Sequence, residues 1–425
     1  MARARGANAQ AALAFASSYG TIPTTGFFSI AGADLGDLSD RNELIEDDLI
    51  GQGREPLEPG DGPVTNTATM TLPVDVRNVG LALKWLFGPP VTTQGVAATG
   101  AITFAANPAN NDTITVGGQA FTFKAANPVG NQIQIGATLA DTVREAVWAL
   151  NASGVVAVAA ARYTADRDGT MINVTHKTIG TAGNAFALAA SAATVSGATL
   201  AGGSATGPYN HVFSSGAQTL PDAVVEIGHP EIPAYHMNYG IMANTASIQL
   251  QRSGNLNIQL GLIAQGELPS TTTSQAGTPT VYAIERFSQG SGEITDRGVP
   301  LGEIVSGTAA WSNNLDVAEN IRPDGRIDGA DPGKVSGSPQ FTVRYKDLTL
   351  YNAAKAKQTL QPAYRWSRGP HSLEIQYLAV KVPVPSKPVS GPGGIQMNYQ
   401  GQAFKHPTLG KAIVATLVND VPSYA

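Results

Sequence analysis

Three groups of side chains could bind a metal ion or transfer a proton, and the first lies around two histidines. His229, Glu231 and His236 fall within eight residues, and imidazole and carboxylate groups are both zinc ligands. Pro230 and Pro233 bend this segment, so no helical spacing aligns the two histidines. The pattern favours a turn between two strands over a metal site.

The second group is the segment Asp324-Gly-Arg-Ile-Asp-Gly-Ala-Asp331, which places three carboxylates among glycines. Asp324 and Asp328 lack the alternating spacing of an EF-hand loop, and no glutamate closes the segment. A solvated loop is therefore favoured over a calcium site.

The third group is an acidic run in which Arg41 is the single positive charge. Paired carboxylates can do acid–base chemistry, but no other reactive side chain converges on them. A solvated face or a subunit contact is the favoured interpretation. The run consists of Asp34, Asp37, Asp40, Glu43, Glu46, Asp47 and Asp48.

The known short catalytic motifs do not occur. The sequence has no Gly-x-Ser-x-Gly, no His-Glu-x-x-His and no Walker motif, and Gly51-Gln-Gly-Arg54 lacks the Lys-Ser/Thr of a phosphate loop. We therefore expect no enzyme activity, no catalytic residues, no cofactor and no metal.

Composition points to a β protein that works without thiol chemistry. Charged residues make up 14% of the 425, while 47 glycines and 27 prolines favour many strands joined by turns. The net charge of −5 argues against a general nucleic-acid binder, yet suits a conduit that nucleic acid passes without sticking. The absence of cysteine excludes disulfides and thiol catalysis.

No segment predicts membrane insertion or secretion. No apolar run approaches the ~20 residues that a membrane-spanning helix needs. Asn8 and Gln10 interrupt the small apolar residues at the start of the chain, which favours a first strand or short arm over a signal peptide.

Two helices are predicted after acidic N-cap residues. Asp75 precedes Val76, Val79, Leu83 and Leu86 at helical spacing, and Gly88 with the following prolines ends the helix. Asp347 precedes a second, similar helix that runs to Lys357.

Strands with one apolar and one amide-rich face follow from period-two alternation. Ile248 and Leu250 alternate with glutamines, and Leu256 to Leu262 return after a Ser-Gly-Asn turn, which predicts a hairpin. Phe341, Val343 and Tyr345 form the apolar face of another strand, and Ala412 to Val418 predicts the last one. The outward amides of this hairpin and of the strand at Met397 are Gln249, Gln251, Asn257, Gln259, Gln396 and Asn398.

Residues 99–205 differ from the rest in being rich in Ala, Thr and Gly, and they predict a small inserted α+β domain. Strands are expected at 101–105, 113–116, 120–124, 155–163 and 170–175. Thr138 and Asp141 resemble a capping box before a helical stripe that ends at Leu150. The flexible ends of the insert could lie close together at a loop tip.

The remainder of the chain is predicted to consist of two copies of one structural unit. Met237-Asn-Tyr239 recurs as Met397-Asn-Tyr399, and each is preceded by an acidic loop, a strand, a helix and a second strand in the same order. The predicted division is 1–98 and 206–266 for the first unit, 99–205 for the insert and 267–425 for the second unit.

Several segments of the sequence resemble the tail tube proteins of long-tailed, siphovirus-like bacteriophages. The similarity lies in Leu44 to Pro56, Pro73 to Gly88, Val225 to Pro233 and Met237 to Gly240, followed by 247–267. Residues 113–123 resemble a small domain inserted in various phage structural proteins.

The resemblance implies a mainly β fold in which each unit is a β-sandwich or barrel with a flanking α-helix. It also implies rings of six units, stacked into a virion tail tube that conducts the genome into the host, with assembly in the host cytoplasm. A duplicated chain would then form a trimeric, pseudo-hexameric ring, and a hexamer of single-unit chains is the alternative. A flexible, non-contractile tail is expected.

Within that assembly, the outward amides are the channel-wall candidates because they offer phosphate groups no cation. Two long loops, 34–62 and 316–337, are expected to order on assembly and to join one ring to the next. The ring-stacking candidates are Asp47, Asp48, Arg54, Glu55, Arg322, Asp324, Arg326 and Asp328. The insert should project outward and leave the channel open.

The expected partners are further copies of the chain, the tail terminator, distal tail and tape-measure proteins, and double-stranded DNA in transient passage. Two alternatives remain open at this stage. Another virion component, such as a capsid protein, would share the composition but build closed shells. An extracellular glycan-binding β protein would need exposed aromatic residues on one face and a signal peptide.

Overall fold

The computed structural model describes residues 3–47, 49–346, 348–387 and 394–424. The protein is mainly β, as the sequence predicts. Within the described residues, the α-helices are α1 Val79–Phe87, α2 Leu139–Asn151, α3 Val156–Ala159 and α4 Thr349–Lys355.

The strands are short and numerous. Up to the end of the insert they are β1 Gln10–Phe15, β2 Phe28–Ser29, β3 Arg41–Ile45, β4 Gly60–Thr65, β5 Thr67–Pro73, β6 Val91–Thr103, β7 Thr113–Val116, β8 Gln119–Lys124, β9 Gln132–Gln134, β10 Ala161–Ala165, β11 Met171–Ile179, β12 Leu188–Ala190, β13 Thr194–Val195 and β14 Ser204–Ser214. They continue as β15 Ala223–His229, β16 Ala234–Leu250, β17 Asn257–Ile263, β18 Gly266–Glu267, β19 Thr280–Val281, β20 Glu293–Asp296, β21 Val299–Pro300, β22 Ile304–Ser312, β23 Asp316–Ala318, β24 Gly329–Asp331, β25 Ser336–Gly337, β26 Gln340–Arg344, β27 Pro362–Arg368, β28 His371–Tyr377, β29 Val380–Lys381, β30 Gln396–Gln400, β31 Gln402–Ala403 and β32 Ile413–Asn419.

The structure divides into two compact units, each assembled from separate segments. From here on, the first unit and the second unit are these structural units and not the predicted repeats. The first contains Met1–Pro90, Phe213–Phe287 and Thr308–Ser338, and the second contains Val91–Val212, Ser288–Gly307 and Pro339–Ala425. These units interleave along the sequence, so the tandem division into 1–266 and 267–425 remains a prediction.

In the first unit, β19, β2, β1, β15 and β16 are neighbours in that order, and β17 joins β16 to β5. Helix α1 packs against this sheet with every residue but Lys84 buried. The indole Nε1 of Trp85 donates to the carbonyl of Ile241 at 2.9 Å. Phe87 stacks on Trp311 with ring centroids 5.3 Å apart. Ala12, Ala14, Val224 and Met237 form a further buried cluster with Phe27 and Ala276, so β1 and β15 are covered on both faces.

Helix α1 begins one turn later than predicted. The carboxylate of Asp75 accepts from the backbone N–H groups of Arg77 and Asn78 at 2.7 and 2.6 Å, so it caps the turn that precedes Val79. Gly88 ends the helix as predicted, with φ of 87° and its N–H donating to the carbonyl of Lys84. The predicted cap at Asp347 lies outside the described residues, and α4 ends at Lys355.

The second unit is built on one long sheet with the strand order β10–β11–β6–β14–β32–β28–β27–β20–β21. The backbone N–H of Ala165, at the end of β10, donates to the carbonyl of Gly298, between β20 and β21, at 2.9 Å. The sheet therefore nearly closes into a barrel. Trp366, Leu373, Tyr377 and Leu417 are fully buried on its strands.

The stretch 99–205 has a hydrophobic core of its own, centred on Ile102, Phe121, Val147 and Val174. Its ends meet, because Thr99 and Ala201 exchange backbone hydrogen bonds of 2.8 and 2.9 Å. It also contributes β10 and β11 to the long sheet, so it continues the barrel as well as packing as an α+β layer.

The capping box of α2 is confirmed, with the Thr138 side chain accepting from the Asp141 N–H and the Asp141 carboxylate accepting from the Thr138 N–H. The predicted strand at 155–163 is wrong over its first half, where Val156–Ala159 forms one helical turn. The N–H groups of Ala159 and Ala160 bond back to Val155 and Val156 at 2.9 and 3.1 Å, so local bonds replace a ladder there.

The order strand, helix, hairpin occurs twice along the chain. Strand β5 and helix α1 precede the hairpin β6–β14, and β26 and α4 precede the hairpin β27–β28. The first hairpin carries the insert between its strands, whereas the second turns tightly at Gly369, whose φ is 56°. The two Met-Asn-Tyr segments are both on strands, but Asn238 is buried and Asn398 is exposed.

Candidate assembly surfaces

An uncharged polar face lies on three neighbouring strands of the first unit. Gln259 of β17 stands between Ser247 of β16 and Thr71 of β5, and Gly261 stands between Thr245 and Thr69. Because alternate residues face opposite sides of a strand, the intervening positions form the apolar core face. These core residues are Met70, Leu72, Ala246, Ile248, Ile258, Leu260 and Leu262.

We name this the neutral face: Thr67, Thr69, Thr71, Thr245, Ser247, Gln249 and Gln259, with Gly261. Ser312 of β22 and Ser336 of β25 line the same shallow depression. Every one of these side chains is a hydroxyl or an amide, which bonds water but presents no fixed charge. The side chains of the neutral face themselves therefore offer an anion no cation.

The predicted channel-wall residues of the first unit are on or beside this face. Gln249, Gln251 and Gln259 are exposed, and the Gln251 amide donates to Gln249 at 2.8 Å. Asn257 is only half exposed, and its amide oxygen accepts from the guanidinium of Arg286. Asn257 therefore has a cation beside it, which the sequence did not indicate.

The other two channel-wall candidates are on the strand pair β26–β30 of the second unit. Thr342 pairs with Asn398, and Arg344 pairs with Gln396. Gln396 and Asn398 are exposed, as predicted from the alternation with Met397 and Tyr399. This pair differs from the neutral face because Arg344 adds a positive charge.

The structure brings the two predicted stacking loops together within the first unit. The 34–62 segment forms a two-stranded hairpin, β3–β4, and the 316–337 segment contains the pair β23–β24. The N–H of Val64 donates to the carbonyl of Gly325 at 2.8 Å, and Arg326 pairs with Asp40 at 2.5 Å. Each segment therefore contains a pair of strands of its own. That the two segments join one ring to the next stays a prediction.

The charged candidates separate into two groups. The guanidinium of Arg322 forms ion pairs with the carboxylates of Asp324 and Asp328, with N···O distances of 3.0 and 2.6 Å. Its guanidinium lowers the pKa of Asp324 to about 2, and hydrogen bonds from Asn320 and Arg322 also lower the pKa of Asp328. This cluster is an ion-pair network in which a cation already occupies the space between the carboxylates.

The second group is at the tip of the β3–β4 hairpin, where Asp47, Arg54 and Glu55 are exposed. Asp48 lies outside the described residues. The same hairpin also carries four exposed apolar residues that were not predicted as part of the site: Leu44, Ile45, Leu49 and Ile50. In the sequence these residues form two apolar pairs, Leu44-Ile45 and Leu49-Ile50, within an acidic run. A loop that contacts only solvent has no need of such pairs.

The histidine group adopts the predicted turn between β15 and β16. The imidazole Nδ1 of His236 lies 2.8 Å from the carboxylate of Glu267, and the rings of His229 and His236 are 6.2 Å apart. Within the described residues, no cluster of three or more His, Asp or Glu side chains has the geometry to hold a metal ion. No helix in the same part of the chain could span a membrane.

The fold is that of a mainly β protein. A family model for phage tail tube proteins matches residues 6–403, nearly the whole chain. The chain belongs to this family, whose members are structural components of the virion tail and not enzymes. A comparison with curated proteins gives no match.

Proposed function

We propose that copies of this chain assemble into stacked rings that form the tail tube of a siphovirus-like phage, and that the tube conducts double-stranded DNA into the host. The observation that carries this proposal is the neutral face. Three adjacent strands present hydroxyl and amide groups and no Asp, Glu, Lys or Arg on one side, over an apolar core on the other. Such a wall stays wet and gives the DNA backbone no fixed cation.

Ring closure would use a contact between different surfaces of neighbouring copies, and a second such contact along the axis would make a filament. The β3–β4 hairpin and the Arg322 network are the surfaces for the axial contact. Leu44, Ile45 and Ile321 are exposed there beside carboxylates, and an exposed apolar cluster of this kind marks an interaction site.

The ring is proposed to contain three chains. The strand–helix–hairpin order occurs twice along the chain, which supports two tail tube units per chain and six per ring. The expected partners are the tail terminator, the distal tail and the tape-measure proteins, with assembly in the host cytoplasm and no membrane insertion. The insert is expected on the outer surface of a non-contractile tube.

Negative-stain electron microscopy of the purified chain, with particle mass measured on the same sample, tests this proposal. Hollow tubes, or rings with the mass of three chains, are expected. Rings of six chains would keep the function and exclude the duplication. Closed shells would favour a capsid role, and monomers at every concentration and salt would contradict assembly by the chain alone.

A further inference from the structure

The hairpin formed by residues 43–61, here called the acidic hairpin, has no apolar cover in the described chain. Leu44, Ile45, Leu49 and Ile50 are all exposed. The segment holds seven carboxylates and one cation, Arg54. A two-stranded hairpin with its apolar residues in water is marginal in stability, so this element requires a partner surface. The partner must be apolar at its centre and basic at its edge.

The second unit contains one cleft with these properties, here called the α2 cleft. It opens between helix α2 of the insert, the segment after β20, and the strand β26 with helix α4. Its apolar lining includes Val299, Leu301, Val343, Leu350 and Ala353. Its volume is about 520 Å³. This is enough room for a few large apolar side chains.

One wall of the α2 cleft is held rigid by an aromatic stack. The guanidinium of Arg297 lies 3.9 Å from the ring centre of Trp148, and that of Arg144 lies 5.4 Å from it. Arg144 also pairs with Asp141 at 2.7 Å, and Arg297 pairs with the buried Asp296 at 2.9 Å. These pairs neutralise two of the four carboxylates that line the cleft.

The remaining charge balance of the cleft is positive. The carboxylate of Asp166 accepts hydrogen bonds from the backbone N–H groups of Thr170 and Met171, both at 2.8 Å, within the loop that Asp166 begins. The charged lining residues that are exposed are Arg167, Arg344 and Lys346 against Glu303. Among the described residues, no ion pair joins these three cations to a carboxylate.

We propose that the α2 cleft of one copy receives the acidic hairpin of a second copy, with Leu49 and Ile50 on its apolar lining and the hairpin carboxylates against its exposed cations. Charge complementarity identifies the occupant, because the hairpin is strongly acidic where the cleft edge is basic. The inference rests on the proposed tube, since it names the receptor for the axial contact. Because helix α2 lines the cleft, this contact would give the insert a role in assembly.

Cross-linking between two populations tests the contact directly, because the natural chain has no cysteine. One population carries Ile50→Cys and the other Gly302→Cys, an exposed cleft position where an added side chain meets open space. A short bismaleimide should give a two-chain product only when the populations are mixed. The matched control replaces Gly302→Cys with Val129→Cys, an exposed position on the insert outside the cleft.

Charge reversal gives a second readout. Arg167→Glu with Lys346→Glu should lower tube yield by at least about tenfold, because repulsion replaces attraction at the cleft edge. Glu46→Lys with Asp47→Lys should do the same, and a chain that carries all four changes should regain most of the yield. Lys405→Glu with Lys381→Glu, two exposed lysines outside the cleft and outside both proposed ring-joining segments, should leave the yield unchanged.

The outcomes separate this inference from the proposed function. Tubes that form normally with Arg167→Glu and Lys346→Glu, and no cross-link above the Val129→Cys control, would overturn the inference and keep the tube. A specific cross-link without any tubes would keep the contact and contradict the tube. Loss of yield that the four-change chain does not regain, without a specific cross-link, would mean that the hairpin docks elsewhere.

Discussion

At the scale of single residues, buried polar side chains hold neighbouring segments in place through hydrogen bonds. His211 is buried in the second unit, with its Nε2 2.9 Å from the carbonyl of Val421 and its Nδ1 2.8 Å from the hydroxyl of Thr92. Nε2 must carry a proton to donate to a carbonyl, and in the neutral ring Nδ1 then accepts from the Thr92 hydroxyl. Tyr424 packs against it edge-on at 4.8 Å.

Burial lowers the pKa of His211 below its ordinary 6.5, which makes stability depend on pH. The unfolded chain binds the proton more readily, so this contribution is complete above pH 6.5 and is lost as pH falls toward the folded pKa. Below pH 6.5 the free energy of unfolding should decrease by up to about 1.4 kcal/mol per pH unit. Urea unfolding between pH 7.5 and 5 measures this slope.

His211→Gln should flatten that slope and lower stability at pH 7.5, since glutamine has no proton to gain in this range. The same substitution at His406, in a turn, should leave the slope in place. An unchanged slope in His211→Gln would show that another group carries the pH dependence.

Glu226 holds the segment after β18 by accepting hydrogen bonds. Its buried carboxylate accepts from the Ser274 hydroxyl at 2.5 Å and from the Gln275 N–H at 2.6 Å. Glu226→Gln removes the charge that strengthens these bonds and turns a donor toward them, so it should cost about 1–3 kcal/mol. Equilibrium unfolding measures the cost, and hydrogen exchange at Gln275 should accelerate. The exposed Glu58→Gln is the control, and equal losses from both changes would contradict the assignment.

At the scale of elements, helix α2 depends on its cap. Thr138→Ala removes the acceptor for the Asp141 N–H, 3.1 Å away, and should lower the free energy of unfolding by about 1 kcal/mol. Thr138→Ser keeps the hydroxyl and should recover most of that loss, as chemical denaturation would show. A full loss in the serine variant would mean that the threonine methyl group matters more than the cap.

The turn between β20 and β21 closes the barrel and has no room for a side chain. Gly298 has φ of 86°, and a Cβ there would lie 2.3 Å from the carbonyl oxygen of Tyr163. Gly298→Ala should therefore destabilise the chain by more than about 1 kcal/mol. Gly302→Ala, where nothing lies within 4 Å, is the matched control. Thermal unfolding compares the two, and equal melting temperatures would contradict the role of the turn.

The elements with strong local patterns could be predicted from the sequence. The capping box, the helix end at Gly88 and the hairpin β16–β17 follow from periodicity and turn residues, which are local. The barrel could not be predicted, since the pairing of β10 with the Gly298 turn depends on contacts between residues more than 100 positions apart. The helical turn at Val156 was missed because alternating Val and Ala suits a strand equally well.

The candidate surfaces divide in the same way. Alternation predicted the exposed amides, but no local pattern could show that Arg286 reaches Asn257. The carboxylates of the hairpin were visible in the sequence, whereas the apolar residues between them were not singled out. Only the fold shows that they are exposed.

At the scale of the whole molecule, the proposed tube predicts how its inner wall treats DNA. Ser247→Lys with Gln259→Lys should leave tube formation intact and make the tubes retain DNA at low salt. The retention should fall steeply with salt, because each phosphate that a lysine neutralises releases a counterion. Val129→Lys, on the insert, is the control. Equal retention by all three proteins in a filter-binding assay would exclude the neutral face from the wall.

The meeting of the ends of the insert has a consequence for the order of folding. Strand β14 pairs with β6 across about a hundred intervening residues, and the entropy of closing such a loop delays the pairing. Collapse of the insert around its own core brings Thr99 and Ala201 together and leaves a short gap for the two strands to zip across. A nascent chain would then complete this part of the barrel early, and the segments that arrive last would add to an existing template.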